Sequence, residues 1–413
     1  RTTETRHIKA AQALWNKLVQ NNQIYLSNYE GWYSVRDEAF YQESELQKLD
    51  GKFVTKDGSP VEWIKEESYF FKLSEWQDKL LEYYESYNRP ISPESRRNEV
   101  ISFVKSGLKD LSISRTTFKW GIPVPNNKDH VMYVWIDALC NYLSAIEYPD
   151  TNSNKFKKYW PAFHVVGKDI LRFHAVYWPA FLMAADLEPP LKIFAHGWWT
   201  NEGKKISKSL GNVIDPYEII NEYGLDQIRY FLFREVPFGK DGNFSKNSIS
   251  TRVNADLSNT YGNLIQRIAT FVVKNCESKI IPSNNLTDKD RELEEIIQNT
   301  VVNYHHSMSE MLFDLSLKNI MGLLNEANAY VDSQAPWKLK TTDPERMKVV
   351  LYIVLNIIIK SSIMLYPFIP QSAEKALSFF NIAKNKISFK NLSLLINYKI
   401  TINNPKPLFP RID

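Results

Sequence analysis

Three lysines, Lys204, Lys205 and Lys208, share one short loop with Ile206, Ser207, Ser209 and Gly211. An ammonium group is a compact charge with rotatable donors, suited to phosphate oxygens. Small neighbours let such a loop move and approach a ligand closely. The loop follows an apolar, strand-like run at 193–195 and the turn-like Asn201-Glu202-Gly203. It precedes a helix start in which Asp215 can cap, Pro216 opens the helix and Glu218 completes a capping box. From the residues alone, a solvated lysine loop and a phosphate-binding loop both remain open.

Other candidates sit at the ends of apolar runs. Residues 131–136, 163–166 and 193–195 read as strands, and continuous apolar runs suit parallel strands buried on both faces. Ligands of such sheets bind beyond the strands' carboxyl ends. That rule points to Trp135-Ile136-Asp137-Ala138, Gly167-Lys168-Asp169 and His196-Gly197-Trp198. The Asp169 carboxylate could accept from ribose hydroxyls or pair with an ammonium, or it could merely close a turn. Gly167 would allow close backbone approach. Further on, Asn263 and Arg267 are four residues apart and share a helix face. Both can hydrogen-bond the edges of unstacked bases, and Trp337 can stack on one; a solvated face plus a core tryptophan fits the same pattern.

The elements that must position these residues follow from length and periodicity. A chain of 413 residues, 44% hydrophobic, suggests two or three domains. A net charge of +4 permits a polyanionic partner without requiring one. Cys140 and Cys276 lie far apart in sequence, and they suggest neither a disulfide framework nor a cysteine zinc site. The opening Arg1-Thr2-Thr3-Glu4 is no signal peptide. The longest apolar run, 349–359, is broken by Asn356 and too short to span a bilayer. It predicts a buried helix and no membrane association.

Residues 1–112 alternate helical and strand-like patterns. A helix over 8–19 buries Ile8, Ala11, Leu14, Trp15 and Leu18; strands fall at 31–35 and 53–55, with a tight turn at Asp57-Gly58. Ser92-Pro93-Glu94 opens another helix that ends near Gly107. Residues 113–246 read as α/β. Residues 247–413 read as an all-α bundle, with helices near 287–306, 310–330 and 345–365. Over 252–272 one stripe carries Val253, Leu257, Leu264, Ile268 and Phe271. A second carries Arg252, Asp256, Asn259, Asn263 and Arg267.

Lys205-Ile206-Ser207-Lys208-Ser209 resembles the signature loop of class I aminoacyl-tRNA synthetases, with isoleucine where methionine is usual. Tyr133-Val134-Trp135-Ile136-Asp137-Ala138-Leu139 and Gly167-Lys168-Asp169-Ile170-Leu171-Arg172-Phe173-His174 resemble the methionine-pocket segments of the methionyl-tRNA synthetases. The resemblance runs in order over nearly the whole chain. It implies part of a class I Rossmann-type catalytic domain with a connective insertion (1–112), then its second half (113–246), then a helical anticodon-binding domain (247–413).

The resemblance implies ATP-dependent activation of methionine to its adenylate, then transfer to tRNA(Met). Lys205 and Lys208 would stabilise charge on the phosphates. Gly167, Asp169, His196 and Gly197 would contact the adenylate. Trp135, Ala138, Tyr142, Phe173, His174 and Trp178 would hold the methionine, whose thioether suits aromatic contact. Asn263, Arg267 and Trp337 would read the anticodon. Magnesium would accompany ATP.

Many family members hold zinc in the insertion. Here the first ligand pair would fall at Ser34 and Asp37, and no cysteine precedes Cys140, so a zinc-free insertion is expected. The family's other signature, His-Ile-Gly-His or similar, does not occur in this sequence. The chain is therefore expected to begin inside the gene product, with a sheet edge left unpaired and its own activity in doubt. No appended dimerising domain is recognised, so a monomer is expected, in a bacterial cytoplasm or an organelle. Two rivals are a non-catalytic tRNA-binding protein and another class I synthetase. The lysine loop and aromatic pocket argue against the first; the lack of a large editing insertion argues against the second.

Overall fold

The computed structural model describes every residue except 37, 38, 42, 50, 87, 207–210, 391 and 413. Two units emerge, Arg1–His196 and Gly197–Asp413.

The first unit opens with the helix Thr5–Gln20, whose buried face carries His7, Ala10, Ala11, Leu14, Trp15 and Leu18. The predicted stripe holds, with His7 and Ala10 added to it and Ile8 only half-buried. Ile24–Ser34 then pairs antiparallel with Glu62–Phe71, from Ile24 opposite Phe71 to Tyr33 opposite Glu62. Ala39–Tyr41 and Leu111–Ser112 flank this pair to give four strands. A second hairpin joins Gln47–Leu49 to Lys52–Val54. The turn at Gly58 forms as expected, with φ +79° and its amide donating to the Thr55 carbonyl.

Aromatic packing joins these hairpins. The Trp32 ring lies 4.7 Å from Phe53 and 5.3 Å, edge-on, from Trp63. Ser34 is buried in its strand; Asp37 lies outside the described residues.

A parallel sheet follows, in the order Phe163–Gly167, Lys192–His196, Ile91–Ser92. Two expectations are corrected here. Residues 131–136 are not one parallel strand. Asn127–Met132 pairs antiparallel with Ser114–Arg115 and Pro123–Val124, and the chain then turns into the helix Val134–Ser144. A short apolar run does not distinguish a buried strand from a buried helix; Ile136, Leu139, Cys140 and Leu143, all buried, carry the helical spacing. Nor is the strand Phe163–Gly167 covered on both faces. His164 and Val166 are buried while Phe163 and Val165 are exposed, the alternation of a strand with one covered face.

In the second unit the helix Pro344–Leu365 is buried nearly all round, as expected of an apolar helix inside a bundle. The expected length is corrected: the apolar run is part of a 22-residue helix, long and apolar enough by length and composition to cross a membrane, although 89% of its most apolar stretch is buried inside the protein. Asp288–Ser309 and Phe313–Gln334 pack around it. Asn356 is paired on both polar atoms: its amide nitrogen donates to the Tyr352 carbonyl and its oxygen accepts from the Ile396 amide. Buried Lys360 donates to the carbonyls of Leu392 and Leu394, and burial pulls its ammonium down to about 8.

Of the expected stripe, Val253, Leu257, Leu264 and Ile268 are buried and Phe271 is half-buried, and they lie on two consecutive segments rather than one regular helix. Lys246–Arg252 is α-helical, Val253–Gly262 is π-helical and Asn263–Asn275 is α-helical again. Asp215 caps Pro216–Tyr223 by accepting from the Tyr217 amide at 2.8 Å, the second helical position rather than the third that a capping box uses.

Candidate active site

The helix Val134–Ser144 carries Trp135, Ala138 and Tyr142 at spacings of three and four, so they share a face. That face meets the segment after the strand Phe163–Gly167, where Phe173–Tyr177 is π-helical. A π-turn re-aims side chains and recurs at functional sites. Trp135 stacks on Phe173, centroids 3.6 Å apart and planes within 10°. His174 stands edge-on to Trp135 at 6.4 Å and to Tyr142 at 5.7 Å. Trp178, fully buried, lies 6.4 Å from Tyr142. The structure thus brings Trp135, Tyr142, Phe173, His174 and Trp178 into one cluster, with Ala138 half-buried on the same helix face.

The polar atoms of this cluster have defined roles. His174 Nδ1–H donates to the Ile170 carbonyl at 2.9 Å. Its Nε2 is then the acceptor, and the Tyr142 hydroxyl donates to it at 2.8 Å. Burial pushes the His174 imidazole below its ordinary range, against the opposing pull of the Ile170 carbonyl and the Asp169 carboxylate. Burial also raises the Tyr142 phenol.

The sequence reading missed two members, His164 and Trp160. The Trp178 indole N–H donates to His164 Nε2 at 3.3 Å, and His164 lies 4.3 Å from Tyr142 and 6.1 Å from Trp160. Burial, helped by His174 nearby, takes His164 down to about 4. The missed signal was alternation: His164 shares an inward face with Val166. What results is an aromatic cup with two neutral imidazoles, suited to an uncharged, polarisable side chain.

Beside the cup, Gly167 and His196 are register partners at the carboxyl ends of adjacent parallel strands. A Cβ on Gly167 would lie 2.5 Å from Asp169 Oδ1 and 3.8 Å from His196 Cε1. These three predicted residues therefore converge, and glycine is needed for space rather than for its φ. A cleft of about 570 Å³ borders Trp135, Phe173 and Asp169 and extends toward Tyr41, Glu99 and Phe103; Gly167, His196, Tyr142 and His174 are not in its lining.

In the second unit, a Cβ on Gly197 would overlap the Lys240 carbonyl and lie 2.7 Å from the Asp241 nitrogen. The Trp198 amide donates to Asp241 at 2.9 Å. Trp199–Asn201 runs parallel to Gly242–Phe244 and antiparallel to Lys204–Lys205. Asn201 ties the two stems of the lysine loop by donating to the Asn212 carbonyl at 2.9 Å. Lys205 contributes backbone to this arrangement. Its side chain, and Lys208 with the rest of 207–210, lie outside the described residues.

The predicted base-reading residues are exposed in the bundle. Asn263 and Arg267 lie on Asn263–Asn275. Arg267 donates to Asp332 at 3.0 Å and to Asn328 Oδ1 at 3.1 Å, two partners the sequence reading did not name. Asn328 is itself fixed by donating to the carbonyls of Thr260 and Leu324. Trp337 sits on the separate short helix Pro336–Thr342, which begins after Ala335 in a left-handed conformation at φ +46°. Its side chain is 47% exposed, as a stacking surface requires.

Among the described residues no group of three or more His, Cys, Asp or Glu side chains gathers as a metal-ligand set.

The family described as tRNA synthetases class I (M) matches residues 1–269, and the anticodon binding domain of methionyl tRNA ligase matches 281–413. The methionine–tRNA ligase of Rickettsia felis is 56% identical over 421 residues, covering 100% of this chain and 81% of that protein. The Brucella suis methionine–tRNA ligase is 51% identical, covering 100% and 80%. The Mycobacterium tuberculosis methionyl-tRNA synthetase in complex with methionyl-adenylate superposes with a TM-score of 0.95 at 45% identity, covering 100% and 82%.

Proposed function

The chain belongs to the methionyl family of class I tRNA synthetases, and on that premise we propose that the cup around Trp135, Tyr142 and His174 holds the side chain of methionine. The reaction is that of a methionine–tRNA ligase: methionine and ATP give methionyl-adenylate and diphosphate, and the methionyl group passes to tRNA. The observation that carries the pocket assignment is the chain from the Ile170 carbonyl through His174 to the Tyr142 hydroxyl. It fixes the imidazole as a neutral hydrogen-bond acceptor inside an aromatic wall. A thioether gains about 0.3–1.5 kcal/mol per aromatic contact there.

Asp169, Gly167 and His196 are proposed to take the ribose and adenine side of the adenylate, with Gly197 keeping the following turn free of side chains. Magnesium enters with ATP as part of the substrate. Lys205 and Lys208 supply cations to the phosphates as negative charge grows on the departing diphosphate. Asn263, Arg267 and Trp337 are proposed to read the tRNA(Met) anticodon. Convergence of the Arg267 donors on Asp332 and Asn328 supports this, because an oriented guanidinium has less entropy to lose on binding a base. We also propose a three-part organisation with boundaries near 112 and 246, a monomer, and residence in a bacterial cytoplasm; the relatives named above are bacterial.

The assignment is tested by methionine-dependent ATP–pyrophosphate exchange. Lys208→Ala is expected to slow the exchange by about 10²–10³, the cost of losing one charge-stabilising donor, with little change in methionine affinity. Unchanged exchange would remove Lys208 from the mechanism.

A further inference from the structure

We propose that His7, outside the cup, is a positioning residue of the methionine pocket, acting through the helix Val134–Ser144. The inference rests on the pocket reading above. His7 lies on the helix Thr5–Gln20 and is 1% exposed. Its Nε2–H donates to Asp137 Oδ1 at 2.7 Å, and its Nδ1 shares a hydrogen bond with the Ser144 hydroxyl at 3.0 Å. Asp137 and Ser144 are seven residues apart, about two helical turns, so both project from one face. Trp135, Ala138 and Tyr142 project from the other.

One imidazole thus grips the pocket helix near both ends, on the side away from the pocket. Two anchors on one face fix the rotation of a helix about its axis, which a single contact does not. That rotation decides where the opposite face points. A small turn of this helix would slide Trp135 off Phe173 and swing the Tyr142 hydroxyl away from His174 Nε2. The 3.6 Å stack and the 2.8 Å hydrogen bond are both intolerant of such a shift. Apolar packing between the two helices is non-directional and would not set this angle alone. The bland alternative is that His7 merely joins two helices, contributing stability and nothing to recognition.

Pyrophosphate exchange on the intact enzyme separates the two. His7→Ala is expected to raise the KM for methionine about tenfold, the scale of a lost hydrogen bond to a charged group, with the KM for ATP and kcat changing less than about threefold. His7→Gln, whose amide nitrogen reaches the place of Nε2, is expected to bring the methionine KM back to within about threefold of the parent. Should His7→Ala fail to fold, Ser144→Ala carries the test, because it removes one anchor and spares the apolar contacts. It is expected to raise the methionine KM by about threefold.

A lowered melting temperature with an unchanged methionine KM in these variants would overturn the proposal. Tyr142→Phe serves as the reference. If it raises the methionine KM while His7 and Ser144 variants do not, the positioning role fails and the pocket stands. If Tyr142→Phe also leaves that KM unchanged, the pocket reading has failed and this proposal with it.

Discussion

The Tyr142 hydroxyl donates to Nε2 of His174 at 2.8 Å, and the far side of the same ring donates to the Ile170 carbonyl. Tyr142→Phe keeps the ring and removes the donor, leaving a buried nitrogen lone pair unsatisfied. Such a loss costs about 1–3 kcal/mol. We expect a rise of about 5- to 100-fold in the methionine KM for pyrophosphate exchange, with the KM for ATP unmoved. A variant indistinguishable from the parent would overturn the pocket reading.

The buried imidazoles make stability depend on pH in a defined direction. His164 titrates near 4 in the fold against 6.5 when unperturbed. Between those values the unfolded chain binds the proton that the folded chain refuses, so stability falls as pH drops from 6.5 towards 4. Above 6.5 the penalty is absent. The full effect of His164 is on the order of 3 kcal/mol, and His174 moves in the same direction. Melting curves should therefore shift downward on acidification from pH 7 to 5, and less so in His164→Gln. Equal shifts in the two proteins would contradict the buried, neutral state of His164.

Gly167 and Gly197 look equivalent in sequence but are predicted to fail differently. A methyl on Gly167 meets the end of the Asp169 side chain, which can swing aside. Gly167→Ala should fold normally and raise the KM for ATP. A methyl on Gly197 meets backbone at Lys240 and Asp241, which cannot yield without unpairing the adjacent strands. Gly197→Ala should lower the melting temperature. The two measurements, KM and melting temperature, should move in opposite variants; the reverse pattern would refute the distinction.

Much of this was legible from residue types and spacing. Helical stripes located the helix Thr5–Gln20 and the buried helix Pro344–Leu365, because burial on one face or all round leaves a periodic record. The pocket aromatics were found by motif, but their partners His164 and Trp160 were not. A lone histidine in a strand carries no sign of the tryptophan that will cross it from another element. The run 131–136 misled for a physical reason: six apolar residues are too few to separate period 2 from period 3.6. Likewise, Asn328 and Asp332 gave no hint that they would orient Arg267 across a distance of more than sixty residues in sequence.

Trp337 is 47% exposed on its own short helix, so its removal should cost the bundle little. If it stacks on an anticodon base, Trp337→Ala forfeits about 1–3 kcal/mol of tRNA binding. The KM for tRNA in aminoacylation should rise by about 5- to 100-fold, while methionine-dependent pyrophosphate exchange, which needs no tRNA, stays within about twofold. Equal loss in both assays would point to a structural tryptophan.

The Asp290 side chain in the bundle is completely buried and ion-paired with Arg346. It accepts from Arg346 Nη2 at 2.9 Å, from the Tyr330 hydroxyl and, at 2.9 Å, from the Thr287 amide that opens the helix Asp288–Ser309. Burial by itself raises this carboxyl, and the Arg346, Tyr330 and Thr287 donors outweigh it, holding it at about 2. Its contribution is therefore intact above pH 3.8 and lost only as pH falls through 2, well below the window in which the histidines act. Arg346→Met strands the carboxylate and should cost about 3–5 kcal/mol, read as a lower urea midpoint. Adding Asp290→Asn to Arg346→Met removes the stranded charge while leaving an oxygen to accept from the Thr287 amide and an amide nitrogen to donate to the Tyr330 hydroxyl oxygen, so the double variant should be more stable than Arg346→Met alone. A double variant that is less stable than the single one would show that the carboxylate is held by something other than the arginine.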